Sequence, residues 1–532
     1  MKTTMRQVAA AMLAAIVAAI GFLGLPVDAG AQQRQDPEPS TCQFDGCDCF
    51  QTRSFRVNLT DASAGGSTAA AGYPLSSCTS WNGMLVCTTQ NATISKQQPG
   101  VYAIRLGSGV GAGPAPRVAW ASKQVVGTDA LPLLDLAGDS FSVDGLALFG
   151  ANADGVPLGL PVVITPFIGP VHSMTGTTNN VMLIPSKHKN IAAYLTNGVP
   201  HASIWLNDTI QGQQGTFTAL HTPVVFSTRA IFMTQFHAAA STPSQPLPPP
   251  QTTGRSSNRT SCRLYALDVK RSIAGRLSVP WFVDTACPAS FNPQTPPALL
   301  GMQATSEVCF AVPASPTLRF QRGKVGSSSS SNVTETEIKC VSSMTGNATI
   351  SSLLQGIAHV HSFCRFSTRV TTSASDHVFA LASSSRLAPA DRILMLNATT
   401  MEVLASVPTG LAPAPPAADS TGNATNAVNV SPLACIVQLE DEDTRGEEGA
   451  AMGERLMLAF SSATEKTPDR ERSGNGAGFA IHLNTVSAVS FDRVLHRLLG
   501  SCEGSHTAQL VGVSPSYVGV PCSDHVFVTT LE

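Results

Sequence analysis

His359-Val360-His361, with Cys364 three residues on, is the stretch of this chain best suited to holding a metal ion. Alternate residues of a strand point to one side, so two imidazoles there would present their nitrogens together, as a zinc-type ion requires. One more convergent ligand is needed to complete such a site. The plainer reading is two half-exposed strand histidines beside a disulfide cysteine, and no metal is assigned.

Other stretches resemble functional motifs and fail on chemistry. Cys42, Cys47 and Cys49, with Asp45 and Asp48 nearby, have no local histidine, and their tight spacing suits a small disulfide knot better than a metal site. The run Gly107-Ser108-Gly109-Val110-Gly111-Ala112-Gly113 has the composition of a phosphate loop, but Pro114 follows and no helix opens there, so it reads as a hairpin loop. The same holds for Gly474–Gly478. The acidic run Glu440-Asp441-Glu442-Asp443 lacks the alternating spacing of a calcium loop and reads as a solvated charged loop. Neither G-x-S-x-G nor H-E-x-x-H occurs, which removes two recognisable hydrolase signals without excluding hydrolysis.

The elements that would position any such residues are short strands. Arg263–Asp284 alternates, turns at Ser272–Gly275 and alternates again, with Leu277, Val279 and Trp281 on one side of its second strand. Gly100–Trp120 is an approximate copy, with the same tyrosine-alanine start, a glycine-rich turn, and a valine two before a tryptophan. Further strand-turn-strand blocks follow at Asp144–Phe167, Asn180–Asp208 (with Trp205 in the corresponding place), Ala298–Val312 and Asp376–Pro408. Two more are assembled from the segments after Leu433, and a strand such as Ser54–Leu59 is available to complete the last. Glycine and proline are frequent and aromatics are only 6% of the 532 residues, as many turns between short strands demand. The chain therefore reads as all-β, a β-propeller of seven or eight four-stranded blades; the alternative is several β-sandwich domains with unrelated hairpins. Residues 1–31 form a leader, 32–80 a short cysteine-rich segment, and 81–532 the propeller, with loop insertions near 240–260, 323–335, 409–430, 440–450 and 465–477. Trp120, Trp205 and Trp281 are read as residues that pack blades rather than as a ligand cage.

The hairpins resemble those of the quinoprotein-dehydrogenase-like β-propeller superfamily. Its repeat runs Ala-x-Asp, a glycine turn, then tryptophan, and docks each blade against the next. Ala266, Asp268, Gly275 and Trp281 are the nearest copy; Ala103 and Trp120 keep the ends without the aspartate, and Leu394–Leu404 keeps only the hairpin. The resemblance spans about Trp81–Glu532 and implies a propeller, not a reaction. Enzymes of that superfamily hold a quinone under a disulfide of adjacent cysteines, and no two cysteines are adjacent here, so no cofactor is expected.

The compartment is read from the N-terminus. Lys2 and Arg6 precede an apolar run from Val8 to Leu25, then Pro26 and the small residues Ala29-Gly30-Ala31, the layout of a signal peptide cut after Ala31; an uncleaved signal anchor is the alternative. No second apolar run of that length follows, so no membrane insertion is expected after cleavage. Asn58, Asn91, Asn207, Asn258, Asn332, Asn347, Asn397, Asn423 and Asn429 each head an N-x-S/T sequon, and the last is compromised by Pro432. The 13 cysteines suit an oxidising compartment. Cys78 with Cys87 would close a strand-turn, Cys262 with Cys287 would clamp the open end of the Arg263–Asp284 hairpin, and Cys502 and Cys522 are further disulfide candidates.

A net charge of −2 with 13% charged residues offers no basic field, which excludes nucleic acid as a partner selected by charge. The reading favoured is a secreted or cell-surface glycosylated propeller that binds a protein or glycan through loops on one face. The alternative is an extracellular enzyme, oxidoreductase or hydrolase, with residues converging on the propeller channel.

Overall fold

The computed structural model describes residues 54–59, 75–81, 84–89, 100–106, 116–122, 133–134, 140–144, 147–152, 154–158, 162–163, 175–176, 181–185, 190–195, 200–205, 215–217, 224–226, 229–238, 260–268, 275–276, 278–288, 298–314, 335–366, 376–385, 390–411, 429–439, 454–465, 478–491, 494–503, 511–514, 517–522 and 525–530. These residues form eight sheets, antiparallel but for one two-residue parallel pairing.

Blade 1 is Leu75–Trp81, Met84–Thr89, Val101–Arg105 and Arg117–Ser122. Blade 2 is Leu133–Leu134, Ser140–Asp144, Ala147–Ala151 and Val162–Val163; blade 3 is Thr175–Gly176, Val181–Pro185, Asn190–Leu195 and Pro200–Trp205. Blade 4 begins with the short strands Gly215–Phe217 and Val224–Val225, then runs Arg229–Ala238, Thr260–Asp268 and Ser278–Thr285. Within its hairpin, Gly275–Arg276 pairs in parallel with the outer strand of blade 3. Blade 5 is Leu299–Met302, Glu307–Pro313, Thr336–Ser342 and Ala348–Leu354; blade 6 is His359–Cys364, His377–Ser383, Arg392–Asn397 and Val403–Pro408. Blade 7 opens with Asn429–Val430 and Ala434–Leu439 and continues with Glu454–Glu465, Gly478–Ser487 and Val494–Glu503. Blade 8 is Val511–Ser514, Tyr517–Pro521 and His525–Thr530, completed by Ser54–Asn58 from the other end of the chain.

That last pairing closes the ring. Ser54 lies opposite Thr529 and Asn58 opposite His525, so the edge a linear array would leave exposed is covered by its own N-terminal strand. The first strands of successive blades meet around the axis and the fourth strands lie outermost.

The alternation visible in the sequence serves both faces of each sheet. On blade 6, Val378, Ala380 and Ala382 pack against blade 5, whereas Phe379 and Leu381 pack against blade 7. On blade 7, Leu456, Leu458 and Phe460 turn to blade 6, and Met457, Ala459 and Ala463 to blade 8. Blade 8 in turn packs Tyr517, Val526 and Val528 against Leu85, Cys87 and Ile104 of blade 1. One apolar layer thus fills each of these junctions, and a sheet sits between two others. A sandwich would leave one face of each sheet to solvent, so the sandwich alternative is set aside. The architecture is an eight-bladed β-propeller.

Two expectations change in detail. Leu75–Trp81 is the first strand of blade 1, so with the expected closing strand Ser54–Asn58 the propeller takes in residues from well before Trp81. Blade 5 is divided by the serine-rich stretch between Pro313 and Thr336, so the two strands read in Ala298–Val312 are only its inner half.

Candidate functional site

The up-and-down path of each blade sorts its connections between two faces. Connections from second to third strand, and from fourth strand to the next blade, open on one face, here the upper; the other turns open on the lower. By this rule the stretches 239–259, 315–334, 409–428 and 466–477 all join strand ends at the upper face, and 440–453 joins ends at the lower.

The sequons follow the same division. Asn58 ends the closing strand of blade 8, and Asn429 begins blade 7, both at the upper face. Asn91, Asn207, Asn258, Asn332 and Asn423 lie outside the described residues, in stretches joining upper-face strand ends. Asn347 is exposed in the lower-face turn between the third and fourth strands of blade 5. Asn397 is half-buried at the corresponding turn of blade 6, where its Oδ1 accepts hydrogen bonds from Thr399 N at 2.8 Å and Thr400 N at 3.2 Å.

Five disulfides are present among the described residues. Cys78–Cys87 joins directly opposed residues of the first hairpin of blade 1, and Cys262–Cys287 clamps the hairpin of blade 4. Cys309–Cys340 crosses two strands of blade 5. Cys364–Cys435 and Cys502–Cys522 tie blade 6 to blade 7 and blade 7 to blade 8. The pairs Cys309–Cys340 and Cys364–Cys435 have no sequence signal, because each depends on strand register or blade adjacency. Cys42, Cys47 and Cys49 lie outside the described residues. Five disulfides suit an oxidising environment, and among the described residues no helix is long and apolar enough to cross a membrane.

Cys502, Cys522 and His525 bring three metal-type donor atoms within 4.8 Å of one another, all buried. Their two sulfurs are bonded to each other, so neither offers a thiolate, and the cluster is not a metal centre in this state.

The histidine pair is placed differently from its sequence reading. His359 and His361 lie on the innermost strand of blade 6, near its upper end, and His359 is only 9% exposed rather than half-exposed. Pairing is irregular beside it: His359 opposes Ser383 and Val360 opposes Ala382, but Leu381 opposes Ser362, leaving His361 as an extra residue in a bulge. The His361 Nε2 lies 2.5 Å from Ser383 Oγ, and the two imidazole centroids are 4.4 Å apart, nearly edge to face. Burial pushes His359 down to about 3, with the neighbouring His361 adding to the effect, and burial alone pushes His361 down to about 4. Cys364 offers no ligand, being bonded to Cys435.

Blade 7 carries a second pair that sequence reasoning did not find. His482 and His496 stack at 4.4 Å, and Asn484 anchors them by accepting at Oδ1 from His496 Nδ1 at 2.6 Å while its Nδ2 donates to Ser462 Oγ at 3.2 Å. These side chains stand on neighbouring strands, so only the register brings them together. Burial and the adjacent His496 lower the His482 pKa.

Trp120 and Trp281 pack one blade against the next. Trp120 covers Gly155 of blade 2, a glycine at φ +81° whose added Cβ would meet the indole at 2.5 Å. Trp281 covers Gly346 of blade 5 in the same way, at φ +74°. The side chain of Trp205 lies outside what the structure describes. Val101–Arg105 and Arg117–Ser122, on either side of Gly107–Gly113, pair antiparallel; Gly107–Gly113 itself and the acidic run 440–443 lie outside the described residues.

No protein-family model matches this sequence, and no curated protein matches it. Among solved structures the chain is similar to BamB from Moraxella catarrhalis, at 8% identity and a TM-score of 0.39, covering 87% of this chain and 99% of that one. It is also similar to the Dos1 propeller, at 7% identity and TM-score 0.42, covering 87% and 93%. A third similarity is to the C-terminal WD40 domain of Sif2, at 9% identity and TM-score 0.41, covering 87% and 97%.

Proposed function

We propose that this chain is a secreted or cell-surface, N-glycosylated propeller that binds a protein or glycan partner through its upper face. The observation that carries this reading is topological. Strand ends separated by long, compositionally variable stretches at 239–259, 315–334, 409–428 and 466–477 gather on that face, above a ring of blades stapled by disulfides. A rigid disc presenting variable connections on one side is suited to recognition, since the scaffold fixes the positions from which contacts are made. The leader-like N-terminus, the sequons and the disulfides support passage through the secretory pathway.

Kinship with the quinoprotein-dehydrogenase-like propellers is proposed at the level of scaffold. It is supported by Trp120 and Trp281, each docking on a glycine of the next blade. The sequence lacks adjacent cysteines, so the quinone chemistry of that superfamily is not part of the proposal.

The test is binding of the purified secreted chain to cell surfaces, extracellular matrix and a glycan array. Replacing 239–259 or 466–477 by a short Gly-Ser linker is expected to weaken binding while the thermal transition stays put. Replacing the lower-face stretch 440–453 is expected to leave binding intact. Binding lost only on the lower-face replacement, or none by the wild-type chain, would reject the reading.

A further inference from the structure

The bulge in the first strand of blade 6 gathers polar groups where the rest of that strand packs apolar ones. Phe379 and Leu381 face blade 7, so Ser383, next in alternation, faces it too. His359 stands opposite Ser383, and the bulge turns His361 to the same side, within reach of the serine hydroxyl. Ser362 also points that way, accepting a hydrogen bond from Leu433 N of blade 7 at 2.8 Å. Blade 7 therefore reaches the cluster at Ser362, while His361 keeps part of its surface exposed.

Inside it, one group is left over. The Nε2 of His359 is buried and has no hydrogen-bond partner among the described residues. Leaving a polar atom so costs about 1–3 kcal/mol, a penalty an apolar residue at this position would avoid. The neighbouring imidazole has its centroid 4.4 Å away, and its Nε2 lies beside the Ser383 hydroxyl, so a second ring nitrogen and an oxygen stand next to the His359 ring. Imidazole nitrogens select copper, zinc and their neighbours, whereas calcium and magnesium require oxygen ligands.

We propose that His359 and His361, with the Ser383 hydroxyl beside them, form a binding site for one transition-metal ion of the copper or zinc class. His359 contributes its unpaired Nε2. His361 contributes a ring nitrogen, releasing Ser383 where that nitrogen is Nε2. The site lies at the innermost strand of blade 6 and does not depend on the upper-face partner, so each proposal stands or falls separately.

The full-length secreted chain, stripped with a chelator, is titrated with Zn(II) and, separately, Cu(II) in competition with a chromophoric chelator. One equivalent is expected to bind, and H359Q and H361Q are each expected to weaken uptake by about tenfold or more. The double substitution H482Q/H496Q on blade 7 is expected to leave it unchanged, and Ca(II) is expected not to compete. Thermal melts and the Cu(II) nitrogen hyperfine signature of each variant separate ligand loss from misfolding; should H359Q not fold, H361Q carries the test. Absence of stoichiometric uptake by the wild-type chain, or uptake that persists in H361Q, overturns the proposal.

Discussion

The indole of Trp281 lies against Gly346 of the next blade and donates its Nε1 hydrogen to the Ser343 carbonyl at 3.1 Å. The Arg229 guanidinium, on the second strand of blade 4, donates to the same carbonyl at 3.2 Å, so blade 4 grips the third-to-fourth turn of blade 5 by stacking and by hydrogen bonds together. Trp281 is half-buried, not fully buried. Trp281→Ala is therefore expected to cost about 2–3 kcal/mol, below the full range for a buried aromatic. The shift in urea midpoint measures it, and a variant as stable as wild type would contradict the docking role.

Gly346→Ala tests the other side of the same contact. The glycine has φ +74°, and an added Cβ would come within 2.7 Å of the indole. Strain and clash both oppose the substitution, so a loss of about 1–3 kcal/mol is expected. Gly356→Ala is the control. It also has positive φ, at +69°, but nothing lies within 4 Å of its added Cβ, so it bears the backbone strain alone and should cost less.

Much of the ring was legible because a propeller strand announces itself locally. The unbroken apolar runs Phe379–Ala382 and Leu456–Phe460 report two buried faces, and the need to cover the last blade's edge pointed to Ser54–Leu59 as the closing strand. What stayed hidden depends on register between strands. The Val360–Ser362 bulge has no sequence signature, yet it sets His361 beside Ser383, while His359 is buried and His361 stays half-buried. Gly346 and Gly155 gave no sign of which tryptophan covers each, since the partners are supplied by a different blade. Blade 5 was read incompletely because the long stretch between Pro313 and Thr336 interrupts the periodicity that identified the other units.

The disulfides divide into staples within a blade and ties between blades, and the two kinds should differ in consequence. A non-reducing peptide map is expected to recover Cys364–Cys435, closing a separation of 71 residues between blades 6 and 7. Substituting both cysteines by serine should lower stability by about 2–5 kcal/mol. The same change at Cys78 and Cys87, which are 9 residues apart in one hairpin, should cost less because the loop released in the unfolded chain is short. Equal losses would show that loop closure does not govern the effect.

Arg263 and Asp284 give a prediction about charge inside blade 4. The guanidinium is buried, paired bidentately with the Asp284 carboxylate (Nη2 to Oδ2 at 2.9 Å), and lies 4.6 Å from the centre of the Phe282 ring. Asp284 is half-exposed, which weakens the pair, yet removing its charge leaves a buried cation with less compensation. Asp284→Asn is expected to destabilise by about 1–2 kcal/mol. Arg263→Met, which removes the charge and keeps the packing, is expected to be tolerated better. The reverse order would show that the ion pair is not what holds Arg263 in place.

Acid should weaken the junction between blades 6 and 7. His359 and His361 are held neutral by burial, at about 3 and about 4, whereas in the unfolded chain they return to the ordinary value near 6.5. With the folded state binding fewer protons, stability is fully present above about pH 6.5 and falls as pH drops below it, by up to about 1.4 kcal/mol per pH unit for each histidine. The fall continues until the folded values are reached, near 4 for His361 and near 3 for His359. His361→Gln removes one of the two contributions, so its stability should decline less steeply than wild type between pH 6.5 and 4. Chemical denaturation of the metal-free chain at a series of pH values gives the two slopes. Parallel slopes would mean that His361 takes up protons in the folded state as readily as in the unfolded chain, and that its setting beside Ser383 does not hold it neutral.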